Sequence, residues 1–113
     1  MKVKIKFQDT LISSNIQVAD TPLARIIGLM FRKRPASDGL LLDPCNSVHT
    51  FFMRYPLDIV FLNKSNQIIK IIRELKPWRM TWIYWRAKKT LELPAGKLPL
   101  CLKVGDILEV QDV

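Results

Sequence analysis

His49 is the single histidine among the 113 residues, and so the one side chain suited without further tuning to proton exchange near neutral pH. On an extended segment it shares a face with Phe51 and Met53, while Val48, Thr50 and Phe52 take the other. Further on, Asp58 interrupts the otherwise apolar run Leu57-Asp58-Ile59-Val60-Phe61-Leu62. If that run is buried on both faces its carboxylate needs a partner, because an isolated buried charge is very costly. Arg25, Arg32, Arg54 and His49 are the available partners, with Arg25 and Arg32 favoured because they flank a helix expected to cover the sheet. An Asp58–His49 pair would be the acid–base half of a hydrolytic triad, with Cys45, Ser47 and Thr50 nearby in sequence. The commoner state of each residue is structural: a hydrogen-bonded core histidine, and a carboxylate held by an ion pair or by backbone N–H groups.

Other chemistries are poorly supported. Cys45, His49, Asp58 and Cys101 can be written as a metal set, but no CxxC, HxxxH or paired-histidine spacing accompanies them. Four isolated glycines form neither a GxGxxG nor a Walker pattern, so no phosphate cradle is expected. No cofactor is implied. The two cysteines read as small buried hydrophobes of a cytoplasmic protein more readily than as a disulfide.

The most unusual stretch is Lys76-Pro-Trp-Arg-Met-Thr-Trp-Ile-Tyr-Trp-Arg-Ala-Lys-Lys89, which holds all three tryptophans and several cations. Trp78, Trp82 and Trp85, interleaved with Arg79 and Arg86, form a candidate binding surface. Such a surface could stack bases while cations hold phosphates, anchor to an anionic membrane, or clasp a protein partner. The plain alternative is that the rings cover one end of the fold and the cations are solvated. The spacing 78, 82, 85 fits one face of a helix, but Pro77 and Pro94 bracket the stretch between two expected strands, which predicts a loop or strand excursion with Trp78 tucked inward and at least one of Trp82 and Trp85 more than a third exposed.

The elements that must position these groups follow from apolar periodicity. Val3, Ile5 and Phe7 alternate with three lysines, which predicts a strand at the very start and, with no hydrophobic leader region, a cytoplasmic protein. A second extended segment covers Leu11–Val18. Thr21-Pro22 is a helix start, and Leu23, Ile26, Ile27 and Met30 fall on one helical stripe, predicting one helix at about 22–31. From Gly39 onward, short apolar runs alternate with turn residues: 39–42, 47–53, 57–62, 68–72, 90–93, 98–104 and 107–110. Short strands at that spacing predict a mainly β (α+β) fold, a largely antiparallel sheet that curls into a compact barrel-like form. Phe51, Ile59, Phe61 and Leu93 are its expected core. No apolar run is long enough to span a membrane. The apolar share of 49% and charged share of 25% are those of an ordinary globular domain. A net charge of +8 bears on partners rather than on fold.

Val18-Ala-Asp-Thr21, Arg25, Gly28-Leu-Met-Phe-Arg32, Gly39-Leu-Leu-Leu42, Val48-His-Thr-Phe-Phe-Met-Arg54, Pro56-Leu-Asp-Ile-Val-Phe-Leu62, Leu91-Glu-Leu-Pro-Ala-Gly96 and Gly105-Asp106 together resemble the DUF192 (UPF0127) family across nearly the whole chain. The resemblance implies a single small domain over 1–113 with a compact, largely β, barrel-like fold, and it implies no activity. Where the family often has an aspartate-glycine turn, this chain has Asn63-Lys64-Ser65-Asn66, whose asparagines tolerate left-handed turn positions. The leading expectation is a non-enzymatic accessory module that binds a protein or small molecule, with Arg25, Arg32, His49, Asp58 and the tryptophan-rich segment as candidate binding residues. The alternatives are a hydrolase using His49 with Asp58, and nucleic-acid binding through 76–89.

Overall fold

The computed structural model describes residues 1–21 and 38–113. The helix expected at about 22–31, with Arg25 and Arg32, lies outside the described residues. Among the described residues seven strands form one sheet: β1 (Lys2–Phe7), β2 (Thr10–Ala19), β3 (Gly39–Leu42), β4 (Leu57–Leu62), β5 (Ile68–Leu75), β6 (Lys89–Pro94) and β7 (Glu109–Asp112). Their order is β5-β4-β6-β3-β2-β1-β7, antiparallel throughout except for the parallel β2–β3 pair.

The alternation read at the start of the chain is realised in β1, where Val3 and Ile5 are buried while Lys4 and Lys6 are more open. The centre behaves differently. Every residue of β3 and β4 is buried, so those strands are covered on both faces and carry apolar runs, broken in β4 by Asp58 alone, in place of an alternation. Two cores result. One contains Val3, Ile5, Ile16, Leu41, Val60, Leu62, Leu91 and Leu93, closed over by Leu98, Leu102 and Leu108 of the segment between β6 and β7. The other, on the opposite face, contains Leu40, Leu42, Leu57, Ile59 and Phe61, covered by Val48, Met53, Cys45, Tyr55 and Tyr84. Ile59, Phe61 and Leu93 are buried as expected, whereas Phe51 is only half-buried.

The sheet is not closed into a barrel. Its edge strands approach at a single isolated bridge, Gln67↔Ile107, flanked by Ile68 N–H donating to Asp106 O (2.8 Å) and Leu108 N–H to Asn66 O (2.9 Å). β7 has four residues and spends them on β1, so no continuous ladder joins it to β5. Closure needs such a ladder around the full circumference.

Two expected strands are likewise absent. Residues 98–104 form turns, held in part by Arg73, whose guanidinium donates to Leu98 O (3.0 Å) and Pro99 O (2.8 Å). Residues 47–53 contribute one bridge, His49↔Met80, and then turn at Phe52, where φ is +64°. The β4–β5 hairpin turns as the asparagines suggest, with Asn66 at φ +62° and Asn63 Oδ1 accepting from Ser65 and Gln67 N–H.

Candidate functional site

The tryptophan-rich segment is a loop laid antiparallel against residues 45–50. Main-chain N–H groups of Thr50, Thr81, Tyr84 and Cys45 donate to Arg79, Val48, Asn46 and Lys88 carbonyls at 2.7–2.9 Å. Thr50 is the pin of this pairing. It is fully buried; its hydroxyl donates to Lys76 O (2.6 Å) and accepts from Arg79 N–H (2.9 Å), and its carbonyl accepts from Trp78 N–H (2.9 Å). A second threonine works the same way, Thr81 Oγ1 accepting from Val48 N–H (3.0 Å).

This latch holds up an aromatic surface. Trp78 is 56% exposed, Trp82 82% and Trp85 81%, with Met80 and Ile83 also open. The expected exposure of Trp82 and Trp85 is therefore met, but Trp78 is not tucked inward. Its ring lies 4.6 Å from Phe52 and 6.0 Å from Phe51, centroid to centroid, and Phe51 in turn lies 5.0 Å from His49. Phe52 and Trp78 both sit at φ +64°, a left-handed conformation that bulky residues seldom adopt and that costs on the order of 1–3 kcal/mol. Two aromatic residues in this conformation thus meet edge to face at the tip of the loop. Lys76, Arg79, Arg86 and Lys88 are exposed around it, and Arg54 is exposed on the facing segment. Lys88 is tied to Asp43 (2.7 Å) in a surface pair.

Asp58 and His49 have separate commitments. Asp58, 1% exposed, accepts Glu74 N–H at Oδ1 (3.0 Å) and Gly96 and Leu98 N–H at Oδ2 (3.0 and 3.3 Å). It thereby fixes β4 to the end of β5 and to the turn after β6, the role of a carboxylate held by backbone donors. His49 Nδ1 accepts Phe51 N–H (3.2 Å). Among the described residues no hydrogen bond joins the two side chains. Cys45 and Cys101 are not joined in a disulfide; Cys45 is half-buried, its Sγ 3.1 Å from Ser47 O, and Cys101 is exposed rather than buried. No cluster of three or more His, Cys, Asp or Glu occurs among the described residues.

The group that the sequence reading passes over is Glu92. It lies in β6 between Leu40 of β3 and Ile59 of β4, 4% exposed, with no hydrogen-bond or ionic partner among the described residues. Burial lifts its carboxyl from 4.5 to about 7. The signal was present as a charged residue in Leu91-Glu92-Leu93, but in a strand covered on one face only that position reads as solvent-facing. Gly39 permits the tight β3–β6 approach beside it, since a Cβ there would collide with Glu92 O and Leu93 Cδ2.

Comparison with known proteins places this geometry. The model of a family described as uncharacterized ACR matches residues 3–110. A UPF0127 protein of Pyrococcus furiosus is 37% identical over 100 residues, covering 83% of this chain and 84% of that one. A UPF0127 protein of Pyrococcus horikoshii is 33% identical over 86 residues, covering 72% and 73%. Among solved structures, a Novosphingobium aromaticivorans protein of unknown function superposes with a TM-score of 0.79 at 22% identity, over 96% of this chain and 84% of that one. A Sinorhizobium meliloti chain, described as a "putative transcription regulator", gives 0.74 at 27% identity, over 96% and 92%.

Proposed function

The chain belongs to the DUF192 family, and within it we propose a non-enzymatic accessory module that binds an acidic protein partner through the loop surface of residues 76–89. The observation that carries this reading is the pinned, exposed aromatic tip: Trp78 and Phe52 strained and in contact, with Trp82 and Trp85 open beside them. Exposed tryptophan and arginine are the residue types that dominate interface energies. The exposed Lys76, Arg79 and Arg86, in a chain of net charge +8, favour an acidic surface over a neutral one.

The test compares the wild-type chain with the W78A/W82A/W85A variant. A protein captured by the first should be absent from captures with the second, weaken with added salt, and bind again when both proteins are purified. A partner held equally by the variant overturns the reading.

A second reading, single-stranded nucleic acid on the same loops, is favoured by cations interleaved with open rings and by the regulator description of the Sinorhizobium chain. Titration of a fluorescent oligonucleotide separates the two, since phosphate contacts give a steep linear fall of log affinity with log salt. A hydrolase built on His49 and Asp58 has less support, because the carboxylate of Asp58 is already used by three N–H groups.

A further inference from the structure

We propose that the acidic partner enters as an extended segment and adds a strand to the tryptophan-rich loop, pairing its main chain with the outward-facing N–H and C=O of Met80. This rests on the loop reading above and adds the form that the bound segment takes.

Thr50 N–H donates to Arg79 O at 2.7 Å, and Thr81 N–H donates to Val48 O at 2.9 Å. These two bonds bracket the antiparallel pair His49↔Met80. In a pair of this kind the neighbours make the bonds, and the paired residues turn their own N–H and C=O away from each other. Met80 therefore presents both main-chain groups on the side of the loop facing away from residues 45–50, and the residue is 69% exposed. Among the described residues nothing bonds to either group, and the N–H groups of Trp82, Ile83 and Trp85 are likewise without an acceptor.

A free donor and a free acceptor on one residue can be satisfied together by another peptide main chain, which is how extended peptides dock on exposed sheet edges. The edge is already in place. Thr50 and Thr81 hold residues 76–81 against 48–50, so binding has little ordering left to accomplish. In an extended run Met80 and Trp82 take one face and Arg79 the other. An added strand would lay apolar side chains on Met80 and Trp82 and direct carboxylates to Arg79, with Lys76 and Arg86 exposed further along the loop. A second copy of this chain is a poor occupant, because the same cations would face each other across the pairing. Phosphate accepts hydrogen bonds and donates none, so a phosphate backbone would leave the Met80 carbonyl unpaired.

The probe is the peptide Ac-Glu-Val-Glu-Val-Glu-Val-Glu-NH2, with its lysine counterpart Ac-Lys-Val-Lys-Val-Lys-Val-Lys-NH2 as the charge control. Two further glutamate peptides are N-methylated, one at every valine and the other at every glutamate, which keeps charge and extended shape while blocking one edge at a time. On the wild-type chain the parent glutamate peptide should bind and the lysine peptide should not. NMR should show solvent exchange at Met80 N–H slowed about tenfold or more at saturation, and one N-methylated peptide should bind about tenfold more weakly, the loss expected for two main-chain bonds. W78A/W82A/W85A should lose the parent peptide. Both N-methylated peptides binding like the parent, or unchanged Met80 exchange in the saturated complex, would overturn the added strand. If W78A/W82A/W85A still loses the parent peptide in that case, the acidic-partner reading stands without the strand. A glutamate peptide that does not bind at all also overturns the strand, and capture of a folded partner then judges the loop reading separately. Equal binding of the lysine and glutamate peptides would overturn both.

Discussion

Asp58 and Glu92 stand one step apart in the β4–β6 ladder and face opposite sides of the sheet, Asp58 opposite Leu93 and Glu92 opposite Ile59. Both are nearly without solvent, at 1% and 4% exposure. Asp58 is met by three backbone N–H groups, and Glu92 by none among the described residues. One carboxylate is a structural clamp. The other reduces stability wherever it is ionised, and the protein retains it in the middle of its sheet.

Asp58→Asn should be destabilising out of proportion to its size. The amide presents N–H to a cluster of donors, so at least one of the three bonds is lost and a buried donor is left unpaired. About 1–3 kcal/mol is the usual cost of such an orphan, and more where the lost acceptor was charged. Urea denaturation at neutral pH measures it. An unchanged midpoint would show that the N–H cluster is satisfied in some other way.

Glu92→Gln should have the opposite effect, and only at the right pH. The folded carboxyl is raised above its unfolded value, so the folded state holds its proton through the window between 4.5 and about 7. Wild-type stability falls across that window as the unfolded state ionises first, and levels off above it. Relative to E92Q the loss approaches about 3 kcal/mol, an upper bound from the raised carboxyl. Paired denaturation curves at pH 4 and pH 8 should differ for wild type more than for the variant; parallel behaviour would mean that Glu92 is compensated.

Thr50→Val removes a hydroxyl while keeping shape. Lys76 O and Arg79 N–H lose their shared partner, at a cost of about 1–3 kcal/mol. Amide exchange should accelerate at Trp78, Arg79 and Thr81 and stay unchanged in β1 and β2. Uniform acceleration would argue against a local latch.

Gly39→Ala forces β3 away from β6, because the new methyl meets Glu92 O and Leu93 Cδ2. Backbone is one of the colliding groups, so relief by a side-chain rotation alone is insufficient. A loss of about 1–3 kcal/mol or more is expected from thermal melts.

Trp82→Ala and Trp85→Ala should leave the melting temperature almost unaltered, as surface changes usually stay within about 0.5 kcal/mol. Together they should remove most of the iodide-quenchable fluorescence. A large drop in stability would mean that these rings pack against something in solution.

Strands that bury residues in a simple pattern were legible from the residues themselves. β3 and β4 begin and end where the apolar runs do, at Gly39–Leu42 and Leu57–Leu62. The segments at 47–53 and 98–104 looked equally strand-like and are not strands, because their apolar residues cover the sheet instead of joining it: Val48 and Met53 on one face, Leu98 and Leu102 on the other. Periodicity reports which residues are buried, and it does not report whether backbone bonds go to a ladder or to a turn. The open sheet was illegible for the same reason, since closure depends on how far β7 runs beside β5. At the site, exposure of Trp82 and Trp85 could be read from an excess of tryptophan. The placement of Trp78 could not, as it follows from a left-handed residue at each tip. Glu92 was missed because a charge in a strand signals solvent unless both faces are known to be covered.

Pairing of β1 with β7 has a consequence for how the chain is made. β1 emerges from the ribosome ahead of the rest of the sheet, and its outer neighbour, Glu109–Asp112, emerges more than a hundred residues later. Throughout that interval the row of N–H and C=O groups from Val3 to Lys6 waits uncovered beside apolar Val3 and Ile5. Lys2, Lys4 and Lys6 are the kind of side chain that keeps such an edge from recruiting a second nascent chain. A chain released before Glu109 would carry the open edge permanently, guarded by three positive charges alone.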